Sequence, residues 1–142
     1  MYLALGSNLG DRAAHLAHAR ARLAALPGVR LDGASPVEET APIGPAAQGP
    51  YLNQMLALRT TLAPEALLEA CLAVEAERGR DRAAAPRWGA RTLDLDVVLF
   101  GARRVESPRL RVPHPELPRR DFWHRGLAAL GVDWRAALEA VG

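Results

Sequence analysis

Short apolar runs of strand length alternate along the chain with longer segments in which leucine and alanine recur at helical spacing. Residues 2 to 6 form an apolar run that ends at Gly6 and is followed by Ser7, Asn8 and Gly10, which predicts a strand and a turn. Residues 11 to 26 carry Leu16, Leu23 and Leu26 on one helical stripe, and "PG" at 27 and 28 stops that helix. A second strand is expected between residues 29 and 40, broken or bulged at Pro36, before the proline-rich loop "APIGPAAQGP". In residues 51 to 62, Leu52, Gln54, Leu56 and Leu58 alternate against Tyr51, Asn53, Met55 and Ala57, the pattern of a strand covered on both faces. The next segment predicts a helix with Pro64 near its start, Leu67, Leu68, Cys71, Leu72 and Val74 inward, and Gly79 as its stop. "RTLDLDVVLF" at 91 to 100 is a further strand, followed by a turn at "GARR" and a short strand near Val105. "VPHPELPRRDFW" is expected as loop or broken helix, and residues 134 to 141 as a final short helix.

The order β-α-β-β-α-β predicts an α+β, ferredoxin-like sandwich: split β-α-β units forming an antiparallel sheet, two helices on one face, and long loops. At 142 residues, 49% of them apolar, the chain is expected to be a single soluble domain over 1 to 142. Cys71 is the single cysteine, which excludes an internal disulfide and suits a small core residue. No run approaches the roughly 20 apolar residues that span a bilayer. The opening "MYLALGSNLGDR" lacks the basic region of a secretion signal, so a cytoplasmic location is expected.

The strand at 91 to 100 raises the chemical question. Residues two apart in a strand share a face, so Asp94 and Asp96 stand together, opposite Leu93, Leu95, Val97 and Leu99, and their own face continues as Val98 and Phe100. Two like charges this close repel, and a divalent cation removes the conflict by taking oxygens from both. A solvated acidic strand end has the same sequence, so the pair does not decide alone. Charge adds context. All eighteen basic residues are arginines, as GC-rich codon usage would also give, and the net charge is only +2. Yet residues 78 to 91 hold five arginines against one aspartate, so the positive field is local. Arg80, Arg82, Arg87 and Arg91 beside the acidic pair suit a polyphosphate held between metal and guanidinium groups. Neutralisation of the aspartates is the alternative.

Glu75 ends the buried stripe of Leu67 and Cys71 and has two readings, a ligand contact or a salt bridge to a loop arginine. Tyr51, Trp88 and Phe122 lie near Asn53 or the arginine segment, as a planar heterocycle stacked on its faces and bonded at its edge would need. Core packing is the plainer reading of each. His114 in "VPHP" is a candidate phosphate contact or turn cap, and His15 and His18 read as surface residues of the first helix. Gly6 and Gly10 fit neither the P-loop nor the dinucleotide glycine spacing, and no nucleophilic triad stands out.

Over nearly its whole length, in "LALGSNLGDR", "ETAPIGPAAQGPYLNQ", "GRDRAAAPRWGARTLDLDVVLFG" and "RVPHPELPRRDF", the chain resembles the 6-hydroxymethyl-7,8-dihydropterin pyrophosphokinases of folate biosynthesis. The resemblance implies transfer of the β,γ-diphosphate of ATP to the pterin hydroxymethyl group, with release of AMP. It implies that Asp94 and Asp96 hold two magnesium ions and that Arg80, Arg82 and Arg91 handle phosphate. Glu75, Arg87, Trp88, Val97, His114 and Arg120 match positions on the nucleotide side. Tyr51 and Phe122 would sandwich the pterin, with Trp88 beside it, Asn53 at its edge, and Thr40, Pro42 and Ile43 from the loop that folds over it. The chain departs from the pattern at Ala41, where proline is frequent, and in an arginine loop one residue longer than in some relatives. Leu72 and Arg111 replace polar residues near the nucleotide, and "FWHRGLAALGVDW" lacks a usual proline. The expected partners are the pterin and ATP, with no nucleic acid and no membrane, and the expected state is a monomer. The rival readings are a small RNA-binding module, which would want aromatics on its central strands, and a metabolite-sensing domain that leaves ATP intact.

Overall fold

The structure, a computed structural model, describes residues 1–41, 49–79 and 92–142. Among these, strands β1 (Tyr2–Ser7), β2 (Val29–Ala34), β3 (Glu38–Thr40), β4 (Tyr51–Thr60) and β5 (Asp94–Leu99) form one antiparallel sheet in the order β2-β4-β1-β5, with β3 also paired to β4. Helices α1 (Arg12–Ala25) and α2 (Pro64–Glu77) provide the two crossovers. This is the ferredoxin-like arrangement that the element order predicts, with Pro36 dividing the second strand into β2 and β3. No helix among the described residues is long and apolar enough to cross a membrane.

Local chemistry sets the helix bounds. Asp11 caps α1 by accepting the amide of Ala14 at 3.1 Å, and Pro64, whose missing N–H is no loss in a first turn, opens α2. Leu16, Ala19 and Leu23 of α1 and Leu67, Cys71 and Val74 of α2 are buried against one face of the sheet. There they meet Leu3 and Leu5 of β1, Leu56 and Leu58 of β4, and Leu95 and Val97 of β5.

The opposite face has its own cover, which the sequence pattern did not foresee. After the short hairpin of β6 (Val105–Glu106) and β7 (Arg111–Val112), a 3-10 turn at Leu117–Arg119 leads into α3 (Asp121–Ala129) and α4 (Trp134–Glu139). Leu117, Trp123 and Leu127 pack there on Ala4, Met55, Val98 and Leu99. The segment expected as loop or broken helix therefore runs into a regular helix at Asp121.

The face assignment of β5 needs one correction. Leu3 pairs with Val97 but Tyr2 pairs with Leu99, so Val98 is an extra residue and the strand carries a bulge. Beyond it the alternation reverses: Leu99 joins the α3 side with Val98, and Phe100 turns into the α1–α2 core. The bulged carbonyl of Val98 accepts the amide of His114 at 3.0 Å, which docks the C-terminal segment onto the strand.

Candidate active site

On the α3 face, side chains fall into rows set by strand register. Gly6 of β1 stands between Asn53 of β4 and Asp94 of β5, and Ala4 stands between Met55 and Asp96. Glu38 of β3 extends the first row beyond Asn53, and Thr40 pairs with Tyr51. Met55 and Ala4 are covered by the second core, whereas Asn53, Asp94 and Asp96 stay half-buried. The floor beside that core is thus an amide, a glycine and two carboxylates. Paired antiparallel Cα atoms lie roughly 5 Å apart, so Asn53 and Asp94 are separated by about 10 Å across Gly6.

Gly6 is the floor residue that sequence reading missed. A Cβ there would stand 3.4 Å from Oδ1 of Asn53 and 3.6 Å from Cδ1 of Tyr51. Its lack of a side chain keeps the space over the row open. The amide Nδ2 of Asn53 donates to Oγ1 of Thr40, which ties the β3 end to the same row.

The C-terminal segment walls the acidic end. Nε2 of His114 lies 3.6 Å from Oδ1 of Asp96, and Nη1 of Arg120 lies 3.8 Å from its Oδ2. Both separations exceed ordinary hydrogen-bond lengths, so these side chains face Asp96 without clamping it. Nδ1 of His114 accepts the amide of Glu116 at 3.1 Å, so the proton of the neutral ring sits on Nε2, toward Asp96. Trp123, 3% exposed, organises this wall: His114 meets it edge-on at 4.9 Å, and the Arg120 guanidinium lies 4.5 Å from its centroid. Phe122 adjoins it at 6.2 Å. Sequence reading missed Trp123, although its i, i+4 spacing to Leu127 was a signal for a packed helix.

Two hollows flank this wall. One, of about 320 Å³, is lined by Asn53, Met55, Phe122, Trp123 and Gly126. The other, of about 510 Å³, is lined by Leu72, Leu95, Val97, Asp96, Arg111 and His114. The expected pterin residues Asn53 and Phe122 thus share one hollow, and the nucleotide-side residues Val97 and His114 share the other with Asp96. Leu72 and Arg111, the two departures from the family pattern, both line the second.

Glu75 has a backbone partner that neither of its readings named, and the loop arginines of the second reading lie outside the described residues. It is 2% exposed, and its Oε2 accepts the backbone amide of Leu95 at 2.7 Å. His15 and His18 are half-buried rather than free on the surface: Nε of Arg78 donates to Nδ1 of His15 at 2.9 Å, and His18 and Arg22 both hold Glu77. Burial and the neighbouring Arg78 push the His15 pKa down, consistent with an acceptor nitrogen. Tyr2, the aromatic an RNA-binding sheet would present on its central strand, is packed against the second core. Pro42, Ile43, Arg80, Arg82, Arg87, Trp88 and Arg91 lie outside the described residues.

Comparison with known proteins agrees with the geometry. Residues 2–131 match the family model described as 7,8-dihydro-6-hydroxymethylpterin-pyrophosphokinase. The chain is 44% identical over 135 residues to the 2-amino-4-hydroxy-6-hydroxymethyldihydropteridine pyrophosphokinase of Pseudomonas aeruginosa, spanning 95% of this chain and 82% of that one. It is 43% identical over 132 residues to the protein of the same name from Methylorubrum extorquens, covering 93% and 82%. The Bacillus subtilis protein of that name is 42% identical over 121 residues, covering 85% and 71%. The chain therefore belongs to the 7,8-dihydro-6-hydroxymethylpterin-pyrophosphokinase family.

Proposed function

We propose that this protein transfers the β,γ-diphosphate of ATP to the hydroxymethyl group of 6-hydroxymethyl-7,8-dihydropterin, with release of AMP, in folate biosynthesis. The observation that carries the reading is the row Asn53–Gly6–Asp94, with Asp96 one pair further along β5. An amide able to read a heterocycle edge stands about 10 Å from a carboxylate pair, with a glycine between them. That span suits a flat bicyclic ring lying over Gly6 with its hydroxymethyl arm toward Asp94. Tyr51 and Phe122 would take the ring faces, and Thr40 would steady Asn53.

Asp94 and Asp96 would hold two magnesium ions. The donor set fits: magnesium commonly takes one or two carboxylates together with substrate phosphates, and Asp94 and Asp96 stand two residues apart on one strand. The chemistry such ions supply is neutralisation of the triphosphate and acidification of the attacking hydroxyl. His114 Nε2–H and the Arg120 guanidinium would donate to phosphate oxygens beside Asp96. Leu72 and Val97 would cover the nucleoside in the larger hollow, with Arg111 at its edge. Arg80, Arg82 and Arg91 would take up charge developing on the transferred group, with Arg87 and Trp88 closing over the ligands.

Incubation with ATP, magnesium and the reduced hydroxymethylpterin tests the reading. AMP should accumulate in step with the diphosphorylated pterin. Formation of ADP, or no turnover of ATP, would refute it.

A further inference from the structure

Glu75 is a buried carboxylate whose described bond is to a backbone amide in another element. It ends the α2 stripe of Leu67 and Cys71, and its Oε2 holds the Leu95 amide at 2.7 Å, a short bond out of reach of solvent. Leu95 lies between Asp94 and Asp96, and among the described residues β5 ends the sheet at one edge. The Asp94–Leu95 peptide plane carries this N–H, so fixing the N–H fixes ψ of Asp94 and φ of Leu95. Those torsions set where the two aspartate side chains leave the strand.

We infer, on the reading that Asp94 and Asp96 hold magnesium, that Glu75 is a positioning residue: it pins the edge strand through the Leu95 amide and so holds the two carboxylates at one mutual orientation. Magnesium demands near-ideal octahedral geometry, so a loosened strand edge lowers its affinity even when both aspartates remain. Removal of groups that orient metal ligands typically lowers metal affinity or activity about 10- to 100-fold.

Glu75→Gln keeps an oxygen acceptor of the same shape and removes the charge. Glu75→Leu removes the acceptor, and Glu75→Met gives a second apolar replacement of similar length. In metal-free protein, amide hydrogen exchange should show loss of protection at Leu95 in the apolar variants, with neighbouring core amides unchanged and Glu75→Gln close to wild type. The magnesium concentration for half-maximal AMP formation should rise about 10- to 100-fold in the apolar variants and much less in Glu75→Gln, with little change in the KM for pterin. Wild-type protection at Leu95 in the apolar variants, or an unchanged magnesium midpoint, would overturn the inference. So would equal impairment of Glu75→Gln and Glu75→Leu, which would assign the charge to direct ligand contact. Full turnover in Asp94→Asn would instead refute the magnesium reading. The exchange result in metal-free protein separates that failure from a failure of the Glu75 contact.

Discussion

Replacing Gly126 by alanine tests how tightly α3 is pressed onto the sheet. In a helix interior the change from glycine to alanine is worth about 1 kcal/mol of stabilisation. Here an added Cβ would stand 2.8 Å from Cβ of Met55, against about 3.5–4.0 Å for an ordinary carbon contact. A Cβ cannot rotate away. The strand cannot yield easily either, because the Met55 amide donates to Oγ of Ser35 at 2.8 Å and the Ser35 amide donates to the Met55 carbonyl at 2.8 Å. The helix must therefore retreat by roughly 1 Å. Overpacking of this kind costs about 1–3 kcal/mol, so the net change runs from neutral to about 2 kcal/mol destabilising. For a chain of this length that is a fall in melting temperature of up to about 6 °C. Ala128→Gly, at an exposed position of the same helix, isolates the propensity term. Calorimetric melting of the two variants and the wild type is the assay. The retreat also displaces Phe122 and Trp123, so the KM for pterin should rise. A Gly126→Ala protein that melts higher by the full propensity gain, with unchanged KM, would refute the close packing.

Asp94→Asn and Asp96→Asn should each reduce AMP formation by roughly a hundredfold or more while leaving the melting temperature little changed, and turnover near wild type in either would refute the proposed site. Gly6→Ala meets its neighbours only at ordinary contact distances, so the fold should persist. The methyl group nonetheless raises the floor between Asn53 and Asp94, and the KM for pterin should increase about tenfold, equivalent to about 1.4 kcal/mol; an unchanged KM would remove Gly6 from the floor. Hydrogen bonds from Arg22 and then His18 hold the Glu77 pKa below its ordinary value of 4.5. A depressed carboxylate stabilises the fold above its unfolded pKa and loses that contribution as pH falls through the folded value. Glu77→Gln should therefore melt below wild type at pH 7, with the gap closing below pH 4.5, and a gap independent of pH would refute the linkage.

The parts of the fold legible in the sequence were those with a clean period or a strong stop. The alternation through β4 placed Leu56 and Leu58 on the α1–α2 side and Asn53 and Met55 on the other, as the two cores show. Pro64 and Gly79 bounded α2 because one lacks an amide and the other accepts a φ of +84°. The bulge in β5 was not legible, because "VVLF" is apolar on both faces and gives no sign that the alternation slips at Val98. It becomes visible only through the Val98 carbonyl and the distant His114 amide. Helix α3 was obscured by the prolines before it and by Gly126, which is present for close approach to Met55 rather than to end a helix. Within the candidate site, same-face placement of Asp94 and Asp96 followed from strand geometry alone. The bond from the Leu95 amide to Glu75 did not, since a backbone amide leaves no trace in side-chain pattern.

An edge strand is a revealing place for two carboxylates. Edge strands carry backbone groups on one side with no neighbouring strand, ordinarily an invitation to unwanted pairing. In β5 two of those groups are taken up, from two directions: Glu75 of α2 holds the Leu95 amide, and the His114 amide occupies the Val98 carbonyl. The first contact comes from the helix that runs toward the arginine-rich segment in sequence, and the second from the segment that carries His114 and Arg120. A central strand would have spent both groups on pairing. Placing Asp94 and Asp96 at the edge lets the elements on either side register against the backbone that bears them, before any ligand is present. Orientation is thereby set through the covalent neighbours of the aspartates, Leu95 above all. For a reaction governed by positioning and charge, such preorganisation is the contribution a small sheet can make.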